Sequence, residues 1–236
     1  MRRKTYVGGF ASRRRALILN QATASSRQHS SNSMPNFLSG LRILPGFLDP
    51  KAQAAMIKAI EEILASAPLY TPRMPRSGKP MSVRMTNCGT LGWVTDEAGY
   101  RYQPLHPETG QPWPPMPPLM LAAWQALARY PHPPEACLIN YYGPAAKMGL
   151  HQDRDEDDVQ APVVSLSLGD TCLFRVGGNE RHDPTITVRL ASGDALVLGG
   201  DARLAYHGVD RIIAGSSTVW PLGGRINLTM RRVTRA

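Results

Sequence analysis

The stretch "HQDRDEDD", residues 151–158, sets one histidine among five acidic residues and an arginine. His151 and Asp153 are two apart, so on an extended segment they project to the same side. Asp155 follows at the same period if the extension persists. A neutral imidazole nitrogen and a carboxylate oxygen are two good ligands for a divalent iron. A third is offered by His207 in "LAYHGV", 54 residues beyond Asp153. Two histidines and one carboxylate on one face leave three positions open on an octahedral metal, the arrangement of non-haem Fe(II) oxygenase sites. Each part alone is weak. A lone His-x-Asp reads as an exposed acidic loop, as do the neighbouring Glu156, Asp157 and Asp158. A lone His207 reads as a satisfied structural histidine.

The last strand-like segment, "RINLTMRR", carries a second signal. Arg225, Asn227, Thr229 and Arg231 share one face, and Ile226, Leu228 and Met230 share the other. Taken alone, such a strand has a polar outside and an apolar inside. Two arginines bracketing an Asn and a Thr also suit a cavity that receives a carboxylate, because the planar guanidinium matches it with two parallel hydrogen bonds. Asn140 and Tyr142 likewise share a face. The order is informative: a His-x-Asp precedes a set of strands, a single His follows them, and an Arg-x-Asn-x-x-x-Arg strand ends the chain. That order makes sense if an iron and a dicarboxylate share one barrel.

The elements that must position these residues are short. Asp49-Pro50 is a helix start, with Asp as cap and Pro in the first turn. Met56, Ile57, Ile60, Ile63 and Leu64 continue at helical spacing, so a helix is predicted over 50–66, ended by Pro68. A second helix is predicted over 119–130. Between them, 69–118 is rich in Pro, Gly, Met and Tyr. "MSVRMTNCGTLGWV" reads as short strands or a hairpin, and "HPETGQPWPPMPP" as a loop, because its prolines exclude a helix interior or central strand. From 136 onward come "ACLINYY", "PVVSLSLG", "CLFRVGG", "TITVRL", "DALVLGG" and "RINLTMRR", punctuated by Gly, Pro and Asp. Regular short strands with such turns predict a sandwich or barrel. Val164, Leu166 and Leu168 face one way, Ser165 and Ser167 the other. The fold class is therefore mainly β with flanking helices.

The net charge of +9 over 236 residues is uneven. Residues 1–48 hold eight Lys/Arg and no acid, leaving 19 basic against 18 acidic residues in the remainder. Residues 1–34 read as a basic, Arg- and Ser-rich disordered tail or an upstream start ahead of Met34. Added phosphate attraction and a transit peptide are alternatives. The remainder, 35–236, is one domain. No run is apolar enough for a membrane span. Cys88, Cys137 and Cys172 are widely spaced and suit a reducing cytosol better than a disulfide framework, so a cytoplasmic protein is expected.

With "MTNCGTLGW", "GLHQDRDE", "PVVSLSLGD", "YHGV" and "RINLTMR" in this order, the chain from Leu41 to Arg232 resembles the AlkB family of Fe(II)- and 2-oxoglutarate-dependent dioxygenases that repair alkylated nucleic acid. The resemblance implies a double-stranded β-helix (jelly-roll) core over 136–236 and a nucleotide-recognition lid over 69–118. It implies His151, Asp153 and His207 as iron ligands, and Asn140, Tyr142, Arg225, Asn227 and Arg231 as the 2-oxoglutarate site. Arg231 is expected at the distal carboxylate. In the lid, the resemblance implies that Trp93 stacks on the damaged base opposite His151, and that Tyr100 and Tyr102 contact the nucleotide and its phosphates. Asp155 would meet the exocyclic amino group, Arg181 would help hold the substrate, and Met81 and Met85 would form an adaptable pocket wall. Leu198 stands where a bacterial relative is expected to have Trp, which makes the site roomier there.

The implied reaction is oxidative demethylation of N1-methyladenine or N3-methylcytosine in single- or double-stranded DNA, with RNA as a further substrate, by a monomer. Alternatives are the same chemistry on tRNA, protein or lipid, a nucleic-acid-binding module without turnover, and a jelly-roll binder of small acids.

Overall fold

Asp49 caps a helix as its sequence predicts: its carboxylate accepts from the Ala52 amide at 2.7 Å, and the helix α1 runs Pro50–Ser66. The computed structural model describes residues 39–235, so the reading of 1–34 as a tail lies outside the described residues. The second helix, α2, covers Pro118–Leu127. It stops three residues before the expected end because Arg129 turns to φ 51° and Pro131 follows; a helix cannot continue through a left-handed residue, and the residue before a proline is driven out of the helical region.

The strands, in chain order, are β1 (Leu41–Leu44), β2 (Val83–Gly89), β3 (Gly92–Asp96), β4 (Gly99–Gln103), β5 (Ala136–Tyr142), β6 (Met148–His151), β7 (Val163–Gly169), β8 (Thr171–Val176), β9 (Ile186–Leu190), β10 (Ala195–Leu198), β11 (His207–Ile213) and β12 (Arg225–Arg231). They form a six-stranded sheet, β1-β10-β7-β12-β5-β2, a four-stranded sheet, β6-β11-β8-β9, and the separate hairpin β3-β4. All pairings are antiparallel. From β5 on, the chain alternates between the two large sheets, with β8 and β9 adjacent in the smaller one. This crossing order is the double-stranded β-helix, or jelly roll, in which two Greek keys close one sheet over the other.

Four strands, β1, β4, β6 and β11, are not marked by the sequence patterns. β1, β6 and β11 are short or interrupted, and β6 and β11 contain glycines that break the alternation. "MSVRMTNCGTLGWV" supplies two strands that do not pair with each other. β2 joins the six-stranded sheet beside β5, and β3 pairs with β4. Within 69–118, the hairpin and its flanking loops therefore stand apart while β2 belongs to the core.

Both faces of β12 are covered, which replaces the polar-outside reading. Thr86 and Cys88 on β2 pair with Ile139 and Cys137 on β5, which pair in turn with Leu228 and Met230. That row meets the helices: Thr86 donates to the Ala67 carbonyl, and Cys88 Sγ lies 3.8 Å from Met120 Sδ. The opposite row, Arg225, Asn227, Thr229 and Arg231, faces the smaller sheet. Cys88 and Cys137, far apart in sequence, are cross-strand neighbours, and all three cysteines are free and buried. No helix among the described residues is long and apolar enough to cross a membrane.

Candidate active site

The end of β6 and the start of β11 lie side by side, with His151 directly opposite His207. Gly208 makes this approach possible, since a Cβ there would sit 2.5 Å from the Met148 carbonyl oxygen. The two imidazole centroids are 4.5 Å apart. Asp153, just past β6, turns between them: His151 Nε2 is 3.8 Å from Oδ1 and His207 Nε2 is 3.9 Å from Oδ2. These spacings are too long for hydrogen bonds. One ligand atom from each residue lies within 4.8 Å of the others, close enough to converge on one ion.

The tautomers suit that role. His151 Nδ1 is 2.9 Å from the Gly149 carbonyl, and His207 Nδ1 is 2.9 Å from the Ala205 carbonyl. A carbonyl only accepts, so each Nδ1 carries the proton and each Nε2 lone pair faces the centre. Burial, then the neighbouring His151, pushes His207 down to about 4, which keeps it neutral and able to ligate. Burial alone would raise Asp153. The Arg231 guanidinium, the largest opposing influence, outweighs it and holds the carboxylate well below the usual range. The centre opens on the His151 side, whose side chain is 41% exposed against 6% for Asp153 and 10% for His207.

Beside the triad lies the polar row of β12. Three of the four buried side-chain polar atoms without a partner among the described residues are Asn140 Oδ1, Arg225 Nε and Arg231 Nη1. An unmet buried polar group costs roughly 1–3 kcal/mol, so such a cluster calls for a ligand. Arg225, 1% exposed, donates to Ser167 Oγ at 2.9 Å and makes no ion pair among the described residues. Arg231 instead lies 2.9 Å from Asp153 Oδ2 and 3.3 Å from Glu156 Oε1. Arg231, expected at a distal carboxylate, thus sits against Asp153 of the triad, and Arg225 is the arginine at the far end of the row. Asn227 lines the same wall but has its amide engaged. It donates to Ser165 Oγ at 2.6 Å and accepts from Thr229 at 2.8 Å. Tyr142 is buried next to Asn140, and burial raises its phenol.

The hairpin residues separate into two groups. Trp93 stacks on the half-exposed Tyr100, with centroids 5.6 Å apart and planes 18° from parallel. Trp93 Nε1 donates to Asp155 Oδ2 at 2.7 Å, so Asp155 leaves the triad's side and faces the hairpin. The Tyr102 hydroxyl donates to Glu156, and burial raises the phenol well above its ordinary value. Arg181 is exposed, with its guanidinium 5.9 Å from the Tyr206 ring beside His207. Met85 is fully buried opposite Asn140, Met81 is partly buried, and Leu198 lies in the inner row of β10.

Glu156 and Asp158 are not part of a solvated loop. Each is 5% exposed; Glu156 pairs with Arg203 and Arg231, and Asp158 accepts from Tyr130 at 2.8 Å. Arg203 carried no signal. It is a single cation in a loop with no periodic neighbours, and only the folded chain shows what it meets.

Residues 40–231 match the 2OG-Fe(II) oxygenase superfamily. An alpha-ketoglutarate-dependent dioxygenase AlkB homolog of Caulobacter vibrioides is 55% identical over 84% of this chain and 89% of its own. Alpha-ketoglutarate-dependent dioxygenase AlkB of Escherichia coli is 44% identical over 77% of this chain and 85% of its own. The solved structure of OsALKBH1 superposes with a TM-score of 0.67 at 33% identity, over 82% of this chain and 98% of that one. The triad, with Asp153 and His207 buried and Nε2 atoms turned inward, suits Fe(II), and the unmet guanidinium donors suit a dicarboxylate, as that family requires. The chain is a member of the 2OG-Fe(II) oxygenase superfamily and, within it, an AlkB-type dioxygenase that uses Fe(II) and 2-oxoglutarate.

Proposed function

We propose that the chain is an oxidative demethylase of alkylated bases, acting on N1-methyladenine and N3-methylcytosine in DNA. The observation that carries this reading is the Trp93–Tyr100 stack, hydrogen-bonded to Asp155 two residues from the ligand Asp153. It is an aromatic platform tied to the segment that carries Asp153, suited to a flat base. Relatives matching 42% of this chain include a DNA N(6)-methyladenine demethylase of Arabidopsis thaliana, 39% identical, and a tRNA demethylase of Schizosaccharomyces pombe, 33% identical. The second name supports RNA as an additional substrate.

His151, Asp153 and His207 would hold the iron. Arg231, beside Asp153, would take the carboxylate of 2-oxoglutarate nearer the metal, and Arg225 the distal one. Asn140 and Tyr142 would line its path, with Asn227 bracing the wall through Ser165. A loaded site supplies oxidative chemistry: O2 and 2-oxoglutarate are consumed to succinate and CO2, and the N-methyl group is hydroxylated. The hydroxymethyl product then loses formaldehyde and leaves the normal base. The chain's own residues position and shield. A base flipped out of a duplex, at a cost of roughly a few kcal/mol, would lie between Trp93 and His151. Asp155, whose Oδ2 takes the Trp93 bond, would accept from the base's exocyclic amino group through Oδ1, which has no partner among the described residues. Arg181 and Tyr100, exposed at the rim, would meet the strand. Methylation at a pairing nitrogen has already broken the base pair, which lowers the flipping cost.

The test is incubation with oligonucleotides carrying either methylated base, reading base mass, formaldehyde and succinate. Succinate formed at the same rate with and without methylated DNA, and no change in base mass, would refute the substrate assignment.

A further inference from the structure

The two residues after Asp155's neighbour Arg154 each hold one strand of the hairpin. Trp93 of β3 donates to Asp155, and Tyr102 of β4 donates its hydroxyl to Glu156 Oε1. Trp93 and Tyr102 are directly opposite each other, so one cross-strand pair is tied to one dipeptide. Glu156 also faces inward. Oε1 lies 3.3 Å from Arg231 Nε, and Oε2 accepts from Arg203 Nη2 at 3.0 Å. Arg203 in turn donates Nη1 to the Asp153 carbonyl at 2.6 Å and Nε to the Ala161 carbonyl at 2.7 Å. Glu156, Arg203 and Arg231 are 5%, 3% and 6% exposed, so little water screens them.

Two guanidiniums thus meet two carboxylates beside the metal centre, and Arg231 is shared. Its Nη2 is 2.9 Å and its Nε 3.2 Å from Asp153 Oδ2, the oxygen turned toward His207 Nε2. A cation gripping that oxygen competes with a metal for its electrons. Whatever draws Arg231 aside leaves Asp153 freer to ligate, and Glu156 is the other carboxylate in contact with Arg231.

We propose that Glu156 is a positioning residue for the metal centre. By its charge it draws Arg231 away from Asp153, while Arg203 anchors Glu156 and the Asp153 main chain, and the Tyr102 hydroxyl joins the hairpin to the same carboxylate. Glu156 touches neither metal nor cosubstrate and acts through Arg231. The inference rests on the iron and 2-oxoglutarate chemistry of the family, not on the nucleic-acid substrate, so its failure would leave that reading untouched.

The test titrates Mn(II) onto the metal-free full chain without oligonucleotide, followed by electron paramagnetic resonance of free Mn(II), and then 2-oxoglutarate onto the loaded protein. Glu156→Gln keeps the shape and removes the charge, and should weaken Mn(II) by about tenfold or more. Glu156→Asp keeps the charge on a shorter stem and should recover most of that affinity. A packing role predicts the reverse order, with Gln the better replacement. Tyr102→Phe releases Glu156 to tighten on Arg231. With Arg231 drawn further from Asp153, it should tighten Mn(II) several-fold and weaken 2-oxoglutarate several-fold. Parental Mn(II) affinity in Glu156→Gln, or a Glu156→Asp chain no better than it, overturns the proposal. If the Glu156→Gln chain does not fold, Tyr102→Phe carries the test, and unchanged or weakened Mn(II) affinity there overturns it.

Discussion

Arg225 and Arg231 are six residues apart on one strand face, yet their removal should affect stability in opposite ways. Arg225 is buried, has an unpartnered Nε, and finds no carboxylate among the described residues; its protein partners are Ser167 Oγ at 2.9 Å and the Leu190 carbonyl at 3.4 Å. Replacing even a buried ion pair by apolar side chains of similar volume is often neutral or stabilising by about 1–4 kcal/mol, and a buried cation with no carboxylate partner has less to offset its desolvation. The two neutral acceptors lose about 1 kcal/mol each. Arg225→Met should therefore leave the melting temperature of the metal-free chain unchanged or raised. Two charge-assisted hydrogen bonds to a cosubstrate carboxylate, at about 1.5 kcal/mol or more each, would vanish. That is roughly 3 kcal/mol, or about a hundredfold in 2-oxoglutarate affinity. Arg231→Met instead leaves Asp153 and Glu156 facing each other with less compensation. It should cost about 3–5 kcal/mol, or on the order of 6–20 °C in melting temperature. Thermal unfolding of both metal-free variants, with calorimetric titration of 2-oxoglutarate onto Mn(II)-loaded Arg225→Met, reads these quantities. If Arg225→Met melts as low as Arg231→Met, or binds 2-oxoglutarate within about tenfold of the parent, the assignment of Arg225 to a ligand carboxylate is wrong.

Alanine at His151, Asp153 or His207 should abolish succinate formation while the chain still folds by circular dichroism; full turnover in any one of them would remove that residue from the ligand set. Trp93→Ala should lose roughly 1–3 kcal/mol of base stacking, seen as weaker oligonucleotide turnover, while substrate-free decarboxylation is largely kept. Loss of both together would move Trp93 out of the substrate platform. Glu135 ties down the C-terminal segment, accepting from the Val233 and Thr234 amides at 2.9 and 2.7 Å. Burial raises its carboxyl, but the Thr234 and Val233 bonds and Arg232 outweigh this and lower it. The stabilisation of a lowered carboxyl is present above its unfolded value near 4.3 and is lost as pH falls through the folded one. Glu135→Gln should therefore melt lower than the parent at pH 7, with the gap closing in strong acid; a constant gap across pH would exclude the charge as its cause. Asp49→Ala should cost about 1 kcal/mol by removing the α1 cap, read as a drop of a few degrees in melting temperature.

The sequence alone determined the parts whose physics is local. Asp49-Pro50 specifies the start of α1 because a cap and a fixed φ act within one turn. The alternation in "VVSLSLG" and "RINLTMR" specifies strands and the row on which Arg225, Asn227 and Arg231 sit, because the side-chain period of a strand is two. His-x-Asp marks two candidate ligands, although Asp153 lies past the end of β6 and reaches the histidines through a turn of the chain. Tertiary structure decided what each row faces. A strand buried on both sides has the same pattern as one exposed on its polar side, so only the helices behind Leu228 and Met230 and the sheet in front of Arg231 show that the polar row is interior. β6 and β11, which carry the histidines, have too few regular residues to declare themselves. They are defined by pairing across 56 positions of sequence, and that pairing depends on a glycine close approach that no local rule anticipates. The same holds for Glu156 and Arg203. An acidic run is solvated unless cations fold over it, and Arg203 and Arg231 reach Glu156 only from β-strand ends and loops far along the chain, so its burial is a property of the assembled barrel.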